Sequence, residues 1–184
     1  AGALVGNINR KALEVIQLSE NAYSILSVGR KGFRFLNSRD QEIVEQIEIP
    51  DRPEITDTLS ISDIAINGFL EGKWDQVDLV YSEFITTTSQ IPKVQTVLPI
   101  SNEEDLSSLI DYIYEPSDYE VLIELTPKYV RSQIYQSILE AFASEHSARM
   151  VAMQNATDNA SELIGELTLD CLLYTSDAAD EVLG

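Results

Sequence analysis

From Lys128 to Leu169 the chain runs 42 residues with no proline and a single glycine, Gly165, and that stretch limits what the rest can become. It predicts one continuous helix. Thr126 can cap it, and Pro127 suits its first turn, where a missing N–H needs no partner. At ~1.5 Å per residue the helix spans roughly 63 Å, about twice the diameter of a small domain, so it must project. Its stripe of Ile134, Ile138, Ala141, Ala148, Ala152, Ala156, Ala160, Leu163 and Leu167 recurs mostly at steps of three and four. That spacing is a helix–helix seam. The alanines let two backbones approach closely but bury little area themselves. The helix therefore needs a partner helix, and no other segment of the chain is long enough.

Upstream, strand and helix alternate. Ala1–Val5 reads as a short strand, and Asn7 or Asn9 can cap a helix carrying Ala12, Leu13 and Ile16. Tyr23–Val28 reads as a strand ended by Gly29, Lys31–Asn37 as a short helix, and Ile43–Ile49 as a strand broken by Pro50 and Pro53. Ser60–Glu71 puts Ile61, Ile64, Ala65, Gly68 and Phe69 on one helical face, and Gly72 stops it. Val77–Ile85 and Lys93–Ile100 are strands whose close spacing suggests one antiparallel addition. Tyr112–Glu115 is extended before Pro116, and Ser117 with Glu120 forms a capping box that opens a short helix to Leu125. The expected architecture is α/β: a three-layer Rossmann-like domain with a mostly parallel sheet over 1–125, a long helix over 126–170, and a tail over 171–184.

The 12 basic and 31 acidic residues give a net charge of −19. That argues against nucleic acid or an anionic membrane as a direct partner. No apolar run approaches the ~20 residues of a membrane span. The chain opens at Ala1 in an apolar run without an initiating Met, so it reads as a fragment. The lone Cys171 excludes an internal disulfide and a cysteine metal cluster.

The chemistry an α/β domain usually carries is missing from the sequence. There is no G-x-G-x-x-G, and Gly29-Arg30-Lys31-Gly32 lacks the spacing and Lys-Ser/Thr end of a phosphate loop. His146 is the only histidine; Ser144 lies two residues away on the helix, on a different side, so the two form no nucleophile–base pair. Glu145 and Arg149, at i and i+4, read as a surface ion pair with possible use at a subunit contact. Asn155-Ala156-Thr157 and Asn159-Ala160-Ser161 match the glycosylation pattern by chance, inside a helix. Met150 and Met153 suit adaptable packing, and Glu103-Glu104 a solvated loop. No catalytic, cofactor or metal residue emerges, which describes a mechanical or assembly part better than an enzyme.

The run Ala143-Ser144-Glu145-His146-Ser147-Ala148-Arg149-Met150-Val151-Ala152-Met153-Gln154-Asn155-Ala156-Thr157-Asp158-Asn159-Ala160 closely resembles the signature of the F-type ATP synthase gamma subunit family. Weaker likenesses precede it in order: Asn7-Ile8-Asn9 resembles the end of the family's first strand, Val77–Phe84 and Leu98-Pro99-Ile100 its central strands, and Tyr114-Glu115-Pro116-Ser117 its loop before the late helices. The resemblance covers roughly residues 1–169. It implies a non-catalytic central rotor stalk, whose long helices form an antiparallel coiled coil inside the alpha and beta subunits. The implied partners are the alpha, beta, epsilon and delta subunits and the c-subunit ring, with no nucleic acid, no cofactor and no direct membrane insertion. The implied place is the cytoplasmic face of a bacterial membrane. Tyr114, Glu115 and Pro116 would lie on the c-ring side. Two departures stand out. The basic N-terminal helix of the family is missing, which would account for the unpartnered seam. Cys171 to Gly184 leaves the family pattern and resembles translated library-adapter sequence. The rival reading is a small-molecule-binding α/β module with a dimerising helix.

Overall fold

The computed structural model describes residues 2–19, 21–100 and 118–183. Nine elements follow in order: α1 (Gly2–Leu18), β1 (Ile25–Val28), α2 (Arg30–Asn37), β2 (Ile43–Ile47), a 3₁₀ turn (Ile55–Thr58), α3 (Leu59–Leu70), β3 (Val77–Thr86), β4 (Ser89–Leu98) and α4 (Asp118–Leu183). The fold is mixed α/β, with a parallel strand pair and a long C-terminal helix, as the alternation of elements indicates.

The first strand expectation fails. Residues from Gly2 onward are helical, and Leu4 is buried on that helix. The short run Ala3-Leu4-Val5 joins Ile8, Ala12, Leu13 and Ile16 in one helical period, which overrides its local strand look. Asn7 is therefore inside the helix, and its side-chain oxygen accepts from Arg10 Nη2 at 2.6 Å instead of capping.

β1, α2 and β2 form a β–α–β unit with parallel pairing. Gly29 makes the turn into α2 with φ +91°, a conformation that strains any residue with a Cβ, and its N–H donates to the Ile47 carbonyl at 2.9 Å. Gly72 ends α3 at φ +68°. Its N–H reaches the Phe69 carbonyl at 3.1 Å while that of Lys73 reaches Gly68 at 2.8 Å, the paired bonds of a Schellman stop. β3 and β4 form the expected antiparallel hairpin, but β4 starts at Ser89, ahead of the expected Lys93. Pro92 is accommodated within β4 opposite Ser82.

The core is Ile61 and Ala65 of α3, Val97 and Leu98 of β4, and Val130, Ile134 and Ile138 of α4. Leu26 and Ile47 pack on it from the parallel pair, Ile49 from the segment after β2, and Val77 and Leu79 from the hairpin. The two strand pairs are separate ladders among the described residues, yet they share one core. α4 continues straight through Pro127, where a new helix start was expected. An interior proline deprives the carbonyl four residues back of its donor. Here that residue is Ile123, which is exposed, so water can serve its carbonyl. The helix also continues through residues 171–183, beyond the expected end. At ~1.5 Å per residue its 66 residues give roughly 100 Å.

Candidate functional site

Helix α4 has two parts with opposite surroundings. Its proximal part is anchored. Val130 and Ile134 are each 1% exposed, and Ser137, Ile138, Ser144 and Ser147 are buried on the same side. Ala141, Ala148 and Val151 are half-buried. From Ala152 to Thr175 every residue is exposed. The expected seam is thus divided at Ala152. Ala141 and Ala148 face the protein's own domain, whereas Ala152, Ala156, Ala160, Leu163 and Leu167 are bare. Tyr114, Glu115 and Pro116 lie outside the described residues.

The anchor is polar as well as apolar. Ser144 Oγ donates to the Ser82 carbonyl at 3.1 Å, and Ser147 Oγ donates to the Thr87 carbonyl at 2.6 Å. The ladder partner of Ser82 is Pro92, which has no N–H. β4 therefore offers the Ser82 carbonyl no donor at this level, and the helix supplies one. A side-chain chain runs beside it: the Tyr81 hydroxyl donates to Gln95 Oε1 at 2.9 Å, and Gln95 Nε2 donates to Gln133 Oε1 at 2.8 Å. Burial, helped by the nearby Glu140 carboxylate, holds the Tyr81 hydroxyl above its ordinary pKa. Lys93 bonds Glu83 across the same hairpin, and that bond raises its pKa.

Ion pairs clamp the flanks. Arg131 Nη2 meets Asp63 Oδ1 of α3 at 2.9 Å. Glu145, expected to pair only with Arg149 along the helix, also meets Lys31 of α2 at 3.4 Å, with Arg149 at 2.9 Å. Partial burial opposes its ionisation, but Lys31 and Arg149 outweigh burial and leave the carboxyl below its ordinary range. Sequence reasoning missed Ser144 and Ser147 as structural contacts. Their signal was present: both continue the stripe of Val130, Ile134, Ile138 and Ala141 at helical steps.

This arrangement offers little chemistry. The Ser144 hydroxyl is committed to a carbonyl, while His146 is exposed and lies against Phe142 with ring centroids 6.3 Å apart. The Thr157 and Ser161 hydroxyls bond carbonyls one turn back, at Met153 and Thr157. Among the described residues no group of three His, Cys, Asp or Glu could hold a metal, and no helix is long and apolar enough to cross a membrane. Two open depressions mark the described surface. One lies between α1 and α2, and another on α4 beside His146 and Met150.

The fold and the site define an α/β domain that holds one part of a long helix and leaves that helix exposed from Ala152 to Thr175. The sequence relatives give the family. The family model described as ATP synthase matches residues 1–171. The chain belongs to that family. It is 47% identical over 174 residues to the ATP synthase gamma chain of Roseiflexus sp. (strain RS-1), covering 92% of this chain and 60% of that relative. With the gamma chain of Chloroflexus aurantiacus (strain ATCC 29366 / DSM 635 / J-10-fl) it shares 42% identity over 173 residues, 91% of this chain and 60% of the relative. The chain thus spans about 60% of the length of these curated relatives. Among solved structures, the central stalk and c-ring of the Tetrahymena thermophila mitochondrial ATP synthase contains a chain of the same fold. It aligns with TM-score 0.63 and 24% identity, over 84% of this chain and 70% of that one.

Proposed function

We propose that the chain is the gamma part of an ATP synthase central stalk, a non-catalytic rotor piece that links an ion-driven membrane ring to the catalytic subunits. One observation carries the reading. The helix is fixed to its domain through about Val151 and exposed on every side from Ala152 to Thr175, as a shaft that works against something else must be. The gamma-chain relatives and the central-stalk neighbour support it. In this reading the alanine row at 148, 152, 156 and 160 is the close-contact seam of an antiparallel two-helix shaft. The partners are the alpha, beta, epsilon and delta subunits and the c-subunit ring, with Tyr114, Glu115 and Pro116 on the ring side. The complex sits at the cytoplasmic face of a bacterial membrane, with this chain peripheral to it. The acidic distal helix suits a basic partner. From Met150 onward the sequence has Asp158, Glu162, Glu166, Asp170, Asp177, Asp180 and Glu181 and no Lys or Arg. A small-molecule-binding module is disfavoured by the openness of the two depressions on the described surface.

The test is a chimera. Residues 2–170 replace the matching segment of the Roseiflexus gamma chain, and the product is assembled with the partner subunits in vesicles. ATP-driven proton pumping is expected. Failure of the folded chimera to co-assemble refutes the proposal. Ala156→Leu in the same chimera is expected to overpack the seam, at a typical ~1–3 kcal/mol, and to lower pumping per ATP hydrolysed. Unchanged coupling would mean the seam lies elsewhere on the helix.

A further inference from the structure

The joint between the β3–β4 hairpin and α4 sets one cation among carboxylates from both sides. Tyr81 and Glu83 of β3 share one face of the hairpin with Lys93 and Gln95 of β4, and Tyr81 stands opposite Lys93 in the register. That face meets the helix, since Gln95 Nε2 donates to Gln133 Oε1 at 2.8 Å. Glu140 lies seven residues after Gln133 and four before Ser144, on the same side of α4. The Gln95–Gln133 bond at one end and the Ser144–Ser82 bond at the other therefore bracket Lys93 and Glu140 on facing elements. Lys93 Nζ bonds Glu83 Oε1 within the hairpin. Glu140 Oε1 accepts from Gln136 Nε2 at 3.0 Å, one turn back on its own helix. Glu140 Oε2 is buried and has no partner, the one carboxylate oxygen so placed among the described residues. A buried carboxylate oxygen without a donor is costly. The chain itself encloses this atom, so its lack of a donor does not hinge on what lies beyond either end. The Glu140 charge acts on both groups opposite. The bond to Glu83 raises the Lys93 pKa and Glu140 adds to the rise, while burial followed by Glu140 raises that of Tyr81. The Lys93 side chain is 40% exposed, on a flexible stem that carries three donors.

We propose that Lys93 is a two-position latch: it bonds Glu83 within the hairpin in this structure, and in a second state it swings to Glu140 Oε2 and ties the hairpin to α4. In the first position the helix is held at this level by the Tyr81–Gln95–Gln133 chain alone. The second position adds an ion pair between the two elements and supplies the missing donor. Opposing terms keep the two positions close in free energy. Glu83 is partly exposed, so water can take over its oxygen at little cost. Moving Lys93 inward strips water from its ammonium, which offsets the gain at Glu140. The joint thus has a looser and a tighter setting, selected by which carboxylate holds one lysine. This inference uses only the hairpin and the anchored part of α4, so its failure leaves the stalk reading standing.

The test is a double-mutant cycle on the intact chain, read by urea unfolding. Glu83→Gln and Glu140→Gln keep the side-chain shape. Each alone is expected to shift the unfolding equilibrium by less than about twofold, because Lys93 moves to the carboxylate that remains. The double variant is expected to lose about threefold or more beyond the product of the single effects. In a Lys93→Met background the same two changes are expected to act independently, which identifies Lys93 as the carrier. Acetylation of Lys93 by acetic anhydride, followed by mass spectrometry, gives a second readout that does not depend on stability. It is expected to be slow in the parent and in both single variants, and faster in the double variant. The proposal is overturned if the two changes act independently with Lys93 present, if their coupling survives Lys93→Met, or if Glu83→Gln alone leaves Lys93 as reactive as the double variant does.

Discussion

Ser144→Ala tests the anchor at one atom. The hydroxyl is fully buried and donates to the Ser82 carbonyl at 3.1 Å. Pro92 stands opposite with no N–H, so no ladder bond can replace the one removed. Losing a donor to a buried acceptor costs about 1–3 kcal/mol. Alanine returns a few tenths, up to about 0.5 kcal/mol, through better helix propensity. The void left by one oxygen is too small to add a cavity term of consequence. The net expectation is a loss of about 0.5–3 kcal/mol, or roughly 1–11 °C in melting temperature for a chain of this length. The assay is thermal and urea unfolding followed by circular dichroism at 222 nm, with Ser161→Ala as the matched control. Ser161 also sits in α4, but it is exposed and its hydroxyl bonds only the Thr157 carbonyl one turn back. Its replacement should be neutral or slightly stabilising. If Ser144→Ala melts with Ser161→Ala, the hydroxyl is not a structural contact, and the account of the anchor is wrong.

Three other outcomes are expected. Gly68→Ala places a Cβ inside the Trp74 indole, whose Nε1 donates to the Ala65 carbonyl at 3.2 Å, so it should cost a typical ~1–3 kcal/mol and shift the tryptophan emission; an unshifted spectrum with parental stability would refute this. The contribution of Glu145 is present above the ordinary glutamate pKa of 4.5 and fades as pH falls through its depressed folded value. Lys31→Met should flatten that acid-side loss, and a slope equal to the parent's would discount the clamp. Amide exchange in the monomer should be slow from Val130 to Ala148 and fast beyond Ala152, because helices gain most of their stability from packing; strong distal protection would point to a covering surface on this chain itself.

The sequence was most legible where one local rule decided the outcome. Gly72 stops α3 because a left-handed residue was needed there, and the spacing of two strand-like runs gave the β3–β4 hairpin. The unbroken helical run gave α4, whereas the alanine row did not separate the part held by the domain, with Ala141 and Ala148 half-buried, from the part that is exposed from Ala152 to Thr175. Misreadings arose where a wider context overruled a local sign. Ala3-Leu4-Val5 looks extended by itself, but Leu4 pays into a helical face that continues to Ile16. Pro127 reads as a start signal, yet exposed Ile123 leaves a carbonyl that water can satisfy, so the helix passes through. Ser144 and Ser147 look like solvated helix positions because their acceptors lie 62 and 60 residues away in sequence. The place of both serines on the stripe of Val130, Ile134, Ile138 and Ala141 marks them as inward-facing, but no local pattern names the strand carbonyls that accept from them.

In the stalk reading proposed above, α4 transmits torque only if its base cannot turn within its seat. Apolar packing alone meets that demand poorly. It is non-directional, so it resists separation of helix and domain more than rotation about the helix axis. The polar contacts supply what it lacks, and their placement around α4 matters more than their number. At about 100° of rotation per residue, Gln133 and Ser147 project within roughly 60° of Ser144 and meet the hairpin. Glu145 lies about 100° to one side and meets α2, and Arg131 about 140° round and meets α3. Tyr135 is on the far side, where its hydroxyl donates to the Pro53 carbonyl at 3.3 Å. Each of these bonds weakens steeply with misalignment, so any turn of the helix strains contacts on several sides at once. The same logic explains the change of composition along the stripe. Where the helix meets a strand edge it carries serines that serve backbone carbonyls. Beyond Ala148 the row becomes alanine, which suits another helix, since a helical backbone has already satisfied its own carbonyls and only close approach remains to be gained.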